Sequence, residues 1–206
     1  MPTHRTPEPS ARVRDAERTK RCLLDAAFGE FSTRGFAGAR VSEIAARAGV
    51  NKQLITYYFG GKAGLYRALE QQWLDRESGF ADPDVPMAEL AVRYLRQLLA
   101  DPRGVRMLMW RGLSDQAPPL PSTAEGDLAD VAARQARGEI AADLDPAAYH
   151  LALQGMVMAP VLMPGAVAEL FGMDPQTPEF EQRYGEQLRR ILIHLAGPNT
   201  SEGERQ

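Results

Sequence analysis

The chain has one cysteine, Cys22, in 206 residues. A lone thiol excludes an internal disulfide framework and suits a reducing cytoplasm. Histidine is nearly as scarce: His4, His150 and His194 lie far apart, and with one cysteine they leave no metal-ligand spacing. No apolar run approaches the length of a membrane-spanning helix, and the polar N-terminus, with Pro2, Pro7 and Pro9, has no hydrophobic signal region. No G-x-S-x-G nucleophile turn occurs. Gly60-Gly61-Lys62 would need glycine at 56 and Ser/Thr at 63 to form a phosphate loop, but Thr56 and Ala63 stand there. No strand alternation competes with the helical patterns. The chain is therefore read as all-α, without a cofactor, a metal or a catalytic set, and not as an enzyme.

Lysine is scarce too, and its placement is informative. Lys20, Lys52 and Lys62 all fall within residues 1–62, which hold eleven basic and six acidic side chains, a balance of +5. The remaining residues carry −8. A basic head on an acidic body suits a protein that docks one end on a polyanion.

Residues 41–62, VSEIAARAGVNKQLITYYFGGK, carry the densest signal. Ile44, Ala45 and Ala48 give a short helix one apolar face. Gly49 follows, where a helix end favours a residue that accepts positive φ. Val50 returns an apolar side chain to the turn, and Asn51 is a good cap for the next helix. Leu54, Ile55, Tyr58 and Phe59 form the second apolar face. Ala45 is small enough to let the two helices cross closely. This is helix-turn-helix spacing. On the outer side lie Lys52, Gln53 and Thr56, side chains suited to guanine, adenine and thymine edges respectively. Ser42, Tyr57, Tyr58 and Lys62 are candidates for docking on phosphates. A solvated polar face is the plainer alternative for an isolated short helix.

With Ala26-Ala27, Phe31 and Gly35-Phe36 before it and Leu65 after it, this segment resembles the N-terminal DNA-binding domain of the TetR family of transcriptional regulators. The resemblance runs from about residue 18 to 69, a quarter of the chain. Three positions differ: Arg40 replaces a threonine that often caps the second helix, Gln53-Leu54 replaces a glycine-threonine or glycine-alanine pair, and Thr56 replaces tyrosine.

The rest of the chain reads as helices broken by proline and glycine. Residues 1–13 are expected to form a disordered arm. The first helix spans about 15–33, with a stripe of Leu23, Leu24, Ala27, Phe28 and Phe31; Cys22 beside it is expected to be buried or half-buried, and Phe36 to plug the core. The fourth helix, about 62–78, carries Leu65, Leu69 and Trp73 on one face. Further helices are predicted over about 86–100, 103–115, 122–137, 146–163 and 178–196, with a short one near 166–171 and a disordered tail over 198–206. About nine helices result, divided into a head (14–62) and a body (63–197). The 146–163 helix, apolar on nearly every side, is expected to be buried all round and kinked or ended by Pro160.

The resemblance implies that the body binds a small, largely apolar effector and forms a homodimer. Tyr94, Met107, Met109, Trp110, Met156, Met158 and Met163 are candidate pocket residues, with ordinary core as the alternative for each. Ala152, Gly155 and Ala159, with Tyr184, Leu188, Ile191, Leu192 and Leu195, are candidates for the dimer interface; closure of the monomer core is the alternative. The implied activity is that of a ligand-responsive repressor reading a pseudo-palindromic double-stranded operator, with the fourth helix carrying the switch. No membrane partner is expected. A small-molecule binding module that has lost specific DNA recognition is the other reading, suggested by the departures at 53, 54 and 56.

Overall fold

The computed structural model describes residues 9–78, 82–114, 116–119 and 122–196. Those residues contain ten α-helices and no strand. The tail expected over 198–206 and the arm up to residue 8 lie outside the described residues. Two compact units divide the chain: Met1–Arg76 with Arg106–Leu120, and Glu77–Val105 with Pro121–Gln206.

The first unit contains α1 (Pro9–Gly38), α2 (Val41–Ala48), α3 (Gln53–Phe59) and most of α4 (Lys62–Ser78), together with α6 (Arg103–Leu113) from Arg106 onward. Helix α1 starts at Pro9, inside the stretch read as an arm. Its stripe buries Leu23, Ala26, Ala27 and Phe31 against Ile44 and Ala45 of α2, Ile55 of α3 and Leu65, Tyr66 and Leu69 of α4. Phe31 meets the Tyr66 ring edge-on at 4.9 Å, and Phe36, stacked beside Phe31, meets it edge-on at 5.2 Å. Cys22 is exposed, contrary to expectation. It lies one helical step off the buried stripe, and that step turns it to solvent.

Gly35 interrupts α1 with φ 66° and ψ 177°, a conformation essentially restricted to glycine. The break turns Phe36 into the core. It also makes room for the Trp110 ring of α6: a Cβ at Gly35 would lie 2.9 Å from that ring. Trp110 Nε1 donates to the Ser32 carbonyl at 3.3 Å. The next residue, Arg111, donates to the buried carboxylate of Glu70, whose pKa is pushed up by burial and pulled back by this guanidinium.

The second unit is built from α5 (Met87–Ala100), α7 (Ala124–Ala136), α8 (Pro146–Leu162), α9 (Pro164–Phe171) and α10 (Pro178–His194). Helix α5 packs against α10 and α8, and α7 packs against α8. Asp145 caps α8 by accepting from Ala148 N at 2.8 Å, and Thr177 caps α10. Arg134 of α7 is 1% exposed. Its guanidinium donates to Asp130 (2.8 Å), to Glu139 (3.0 Å) and to the carbonyls of Val85 (2.9 Å) and Asp82 (3.2 Å). That set ties the entry to α5 onto α7 and compensates the desolvated charge.

Helix α8 is not buried all round. It buries Tyr149, Leu153, Val157 and Pro160 and leaves Leu151, Ala152 and Gly155 exposed. Its neighbours within one chain, α5, α7 and α9, leave this second apolar side uncovered. Pro160 sits in the last turn, and the helix ends two residues later. Among the described residues no single helix is long and apolar enough to cross a membrane, and the α8–α9 pair, apolar enough together, is bent by 85°.

Gly35→Ala is expected to destabilise the first unit by about 2 kcal/mol, through backbone strain and the Trp110 contact. Urea unfolding followed by Trp fluorescence measures it, and an unchanged midpoint would contradict the strain assigned here.

Candidate nucleic-acid interface

Helices α2 and α3 are short, so local chemistry must hold their angle. Helix α2 ends in a Schellman motif: Gly49 (φ 68°) donates to Ala46 O at 3.1 Å and Val50 N to Ala45 O at 3.0 Å. Asn51 Oδ1 then accepts from Gln53 N at 2.9 Å and starts α3. At the far end of α3, Gly64 of α4 lies so close to the Phe59 carbonyl that a Cβ there would be 1.6 Å from its oxygen. A side chain at 64 would push the first turn of α4 off the end of α3.

The start of α2 is held from outside. Its cap position, Arg40, has extended backbone (φ −116°, ψ 126°) and makes no side-chain cap. Glu30 of α1, 1% exposed, accepts from Arg40 N at 3.4 Å. The same carboxylate pairs with Arg34 at 3.5 Å and Arg47 at 3.7 Å. Both arginines are half-exposed, so their Coulomb contribution is modest. The buried acceptor and its N–H are the costly partners to separate.

Helix α3 buries Ile55, half-buries Leu54, Tyr58 and Phe59, and exposes Lys52, Gln53, Thr56 and Tyr57. The structure gathers Arg40 and Ser42 from α2, Lys52, Gln53 and Thr56 from around α3, and Lys62 from α4 into one open groove of about 620 Å³. Tyr57 and Tyr58 lie outside its lining. Their rings meet edge-on at 4.9 Å, and the Lys20 ammonium lies 5.7 Å from the Tyr58 ring. Lys62 is partly engaged. Its ammonium donates to Ala37 O at 3.2 Å and lies 4.9 Å from the Phe36 ring. Burial lowers its pKa, and the charge of Glu30 opposes that shift.

Sequence reasoning missed Glu30 and Arg40 as members of this site. Glu30 stands seven residues after Leu23, on the buried stripe, so a carboxylate at a core position was the available signal.

The seven candidate pocket residues are divided between the two units. Tyr94, Met156 and Met158 are partly buried against the second core, whereas Met107 is buried in the first core and Trp110 lies on Gly35. Met109 and Met163 are exposed. Of the eight interface candidates, Ala152, Gly155 and Ile191 are exposed. Leu188 and Leu192 are buried within their own chain, Ala159 and Leu195 are half-buried, and Tyr184 donates its hydroxyl to Met156 O at 2.7 Å. His150 contacts Gln154 at 2.9 Å and His194 contacts Arg190 O at 2.7 Å; His4 lies outside the described residues. Among the described residues no cluster of His, Cys, Asp and Glu could hold a metal.

A helix-turn-helix head with an exposed polar face on its second helix is the architecture of a DNA-reading module. The family description "Bacterial regulatory proteins, tetR family" matches residues 23–69, and "Tetracyclin repressor-like, C-terminal domain" matches residues 86–190. The chain belongs to the TetR family. It is similar to the HTH-type transcriptional repressor SCO4008 of Streptomyces coelicolor, at 40% identity over 115 residues, 55% of this chain and 59% of that protein. It is also similar to the HTH-type transcriptional regulator RutR of Escherichia coli, at 37% identity over 89 residues, 41% of this chain and 42% of RutR. The chain thus spans about half the length of these relatives. Among solved structures, the putative transcriptional regulator SCO4942 of Streptomyces coelicolor superposes with a TM-score of 0.71 at 24% identity, over 84% of this chain and 97% of that one. The regulator FadR of Bacillus subtilis, solved with stearoyl-CoA, gives 0.55 at 16% identity, over 84% and 97%.

Glu30→Ala is expected to destabilise the first unit by about 1–3 kcal/mol, because it removes the buried acceptor that satisfies the Arg40 N–H at the start of α2. Thermal unfolding of the purified variant measures the loss; a transition matching the parent chain would show that the contact contributes nothing.

Proposed function

We propose that this protein is a ligand-responsive transcriptional repressor that binds a pseudo-palindromic operator as a homodimer and performs no catalysis. The observation that carries the reading is the groove in which Lys52, Gln53 and Thr56 stand beside Ser42 and Lys62. In this reading α3 enters the major groove. Lys52, Gln53 and Thr56 meet base edges, and Ser42 and Lys62 approach phosphates from the flanking helices. Tyr57, the most exposed of the head's aromatic residues among those described, and Tyr58 reach phosphates outside the groove.

Dimerisation is supported by the uncovered apolar side of α8, where Leu151, Ala152 and Gly155 face solvent, and by Ile191 and Ile193 exposed on α10. Small residues permit close helix approach, and a twofold axis presents two heads to two half-sites. The stearoyl-CoA complex of FadR supports a small-molecule effector for the body. Tyr94, Met156 and Met158, partly buried at the second core, are where an apolar one would be accommodated. An effector that prefers one conformer shifts the population of DNA-competent dimers, with α4 as the route.

Selection from a random duplex pool with the purified chain is expected to enrich an inverted repeat. A folded dimer that enriches no sequence would overturn the reading in favour of a binding module without DNA recognition. Gln53→Ala is expected to relax preference at one base pair per half-site by about 1–3 kcal/mol, read from the same selection; an unaltered sequence preference would remove Gln53 from base reading. The variant that tests this face is Gly155→Glu, at a position where an added Cβ meets nothing within 4 Å beyond its chain neighbours and its own helix backbone. It is expected to leave the helical circular dichroism intact while converting the dimer to monomer in light scattering. A variant that stays dimeric would exclude this face.

A further inference from the structure

We propose that Arg40 is a phosphate contact of this head, a role that rests on the DNA-binding reading above and is separable from it by experiment. Three observations support it. The first is the distribution of cations in the first unit. Arg34 and Arg47 are paired with Glu30, Lys20 with Glu17 at 2.8 Å, and Arg111 with Glu70. Lys62 is hydrogen-bonded to Ala37 O. Among the described residues the Arg40 side chain has no ion pair and no hydrogen bond. It lines the groove together with Lys52. Two uncompensated cations in one concavity repel each other until an anion arrives.

The second observation is that arginine is a poor residue for its position. Arg40 is the cap of α2 and provides no side-chain acceptor. Serine, threonine, asparagine or aspartate there would stabilise the helix by about 1 kcal/mol. The third is how the loss is offset. In a capping box, a Glu at the third helical position reaches back to the cap N–H. That position is Glu43 here, which is exposed. The buried Glu30 of α1 takes the Arg40 N–H instead. The backbone at 40 is anchored while its guanidinium stays free. A planar guanidinium offers two parallel donors to one phosphate.

The test pairs operator binding with stability, because the two respond with opposite sign. The operator selected by the parent chain is titrated with the full-length parent and with Arg40→Thr, Arg40→Gln and Arg40→Lys over a range of salt. Arg40→Thr supplies the missing cap acceptor, so its thermal midpoint is expected to equal or exceed the parent's. Its plot of log K against log salt is expected to be shallower by about 1.8, the loss of one phosphate contact from each of the two heads of the dimer at about 0.9 apiece, with affinity reduced to a similar extent on specific and random duplexes. Arg40→Gln is expected to show the same loss of slope without a supplied threonine cap, and Arg40→Lys to retain the slope. A slope unchanged in Arg40→Thr and Arg40→Gln overturns the proposal. A relaxed preference at one base pair with the slope unchanged also overturns it, by placing Arg40 on a base edge. Failure of the folded parent chain to select any sequence overturns the DNA-binding reading and the Arg40 proposal with it, an outcome distinct from an unchanged slope on a selected operator.

Discussion

One buried carboxylate holds the helix-turn-helix of the first unit at its angle. Glu30 sits within the apolar stripe of α1, takes the N–H that opens α2, and draws Arg34 and Arg47 to the same point. An eight-residue helix followed by a seven-residue one has too few internal hydrogen bonds to hold itself in water. The pair persists because its ends are fixed: by Glu30 at the start of α2, by the Schellman turn at Gly49, by Asn51 at the start of α3, and by Gly64 against the Phe59 carbonyl. The polar face of α3 is free for a ligand only because these internal contacts define the angle at which it is presented.

The same economy governs the rest of each unit. In the first, the break at Gly35 both turns Phe36 inward and opens a seat for Trp110, so the end of α1 and the second half of α6 share one joint. In the second, Arg134 gathers two carboxylates and two carbonyls around a charge that would otherwise be costly to bury. Neither joint depends on area buried alone; each satisfies polar groups that folding removes from water.

For the proposed repressor, the consequence is a division of labour among cations. Those paired inside the chain, Arg34, Arg47 and Arg111, shape the head; those left unpaired in the groove, Lys52 and Arg40, are available to an external anion. On the second unit the division is among apolar side chains. Leu188 and Leu192 close the chain's own core, while Leu151, Ala152 and Gly155 remain uncovered. An apolar face left open on an otherwise well-packed helix is the usual mark of an interface.

Much of the fold was written locally. The periodicity of the α1 stripe, the glycine at 49, the cap at 51 and the proline-initiated helices at 146 and 178 depend on near neighbours in the chain, so the sequence alone determined the all-helical class, the helix-turn-helix spacing, the family and which side chains of α3 point outward. Contacts between residues far apart could not be read that way. Only the tertiary structure decided that Trp110 and Met107 pack in the first unit, that Cys22 faces solvent, and that α8 is covered on one side alone. It also decided that Glu30 reaches Arg40 across ten residues. The reason is that periodicity states which face of a helix is apolar, whereas only the packed neighbours decide what that face meets.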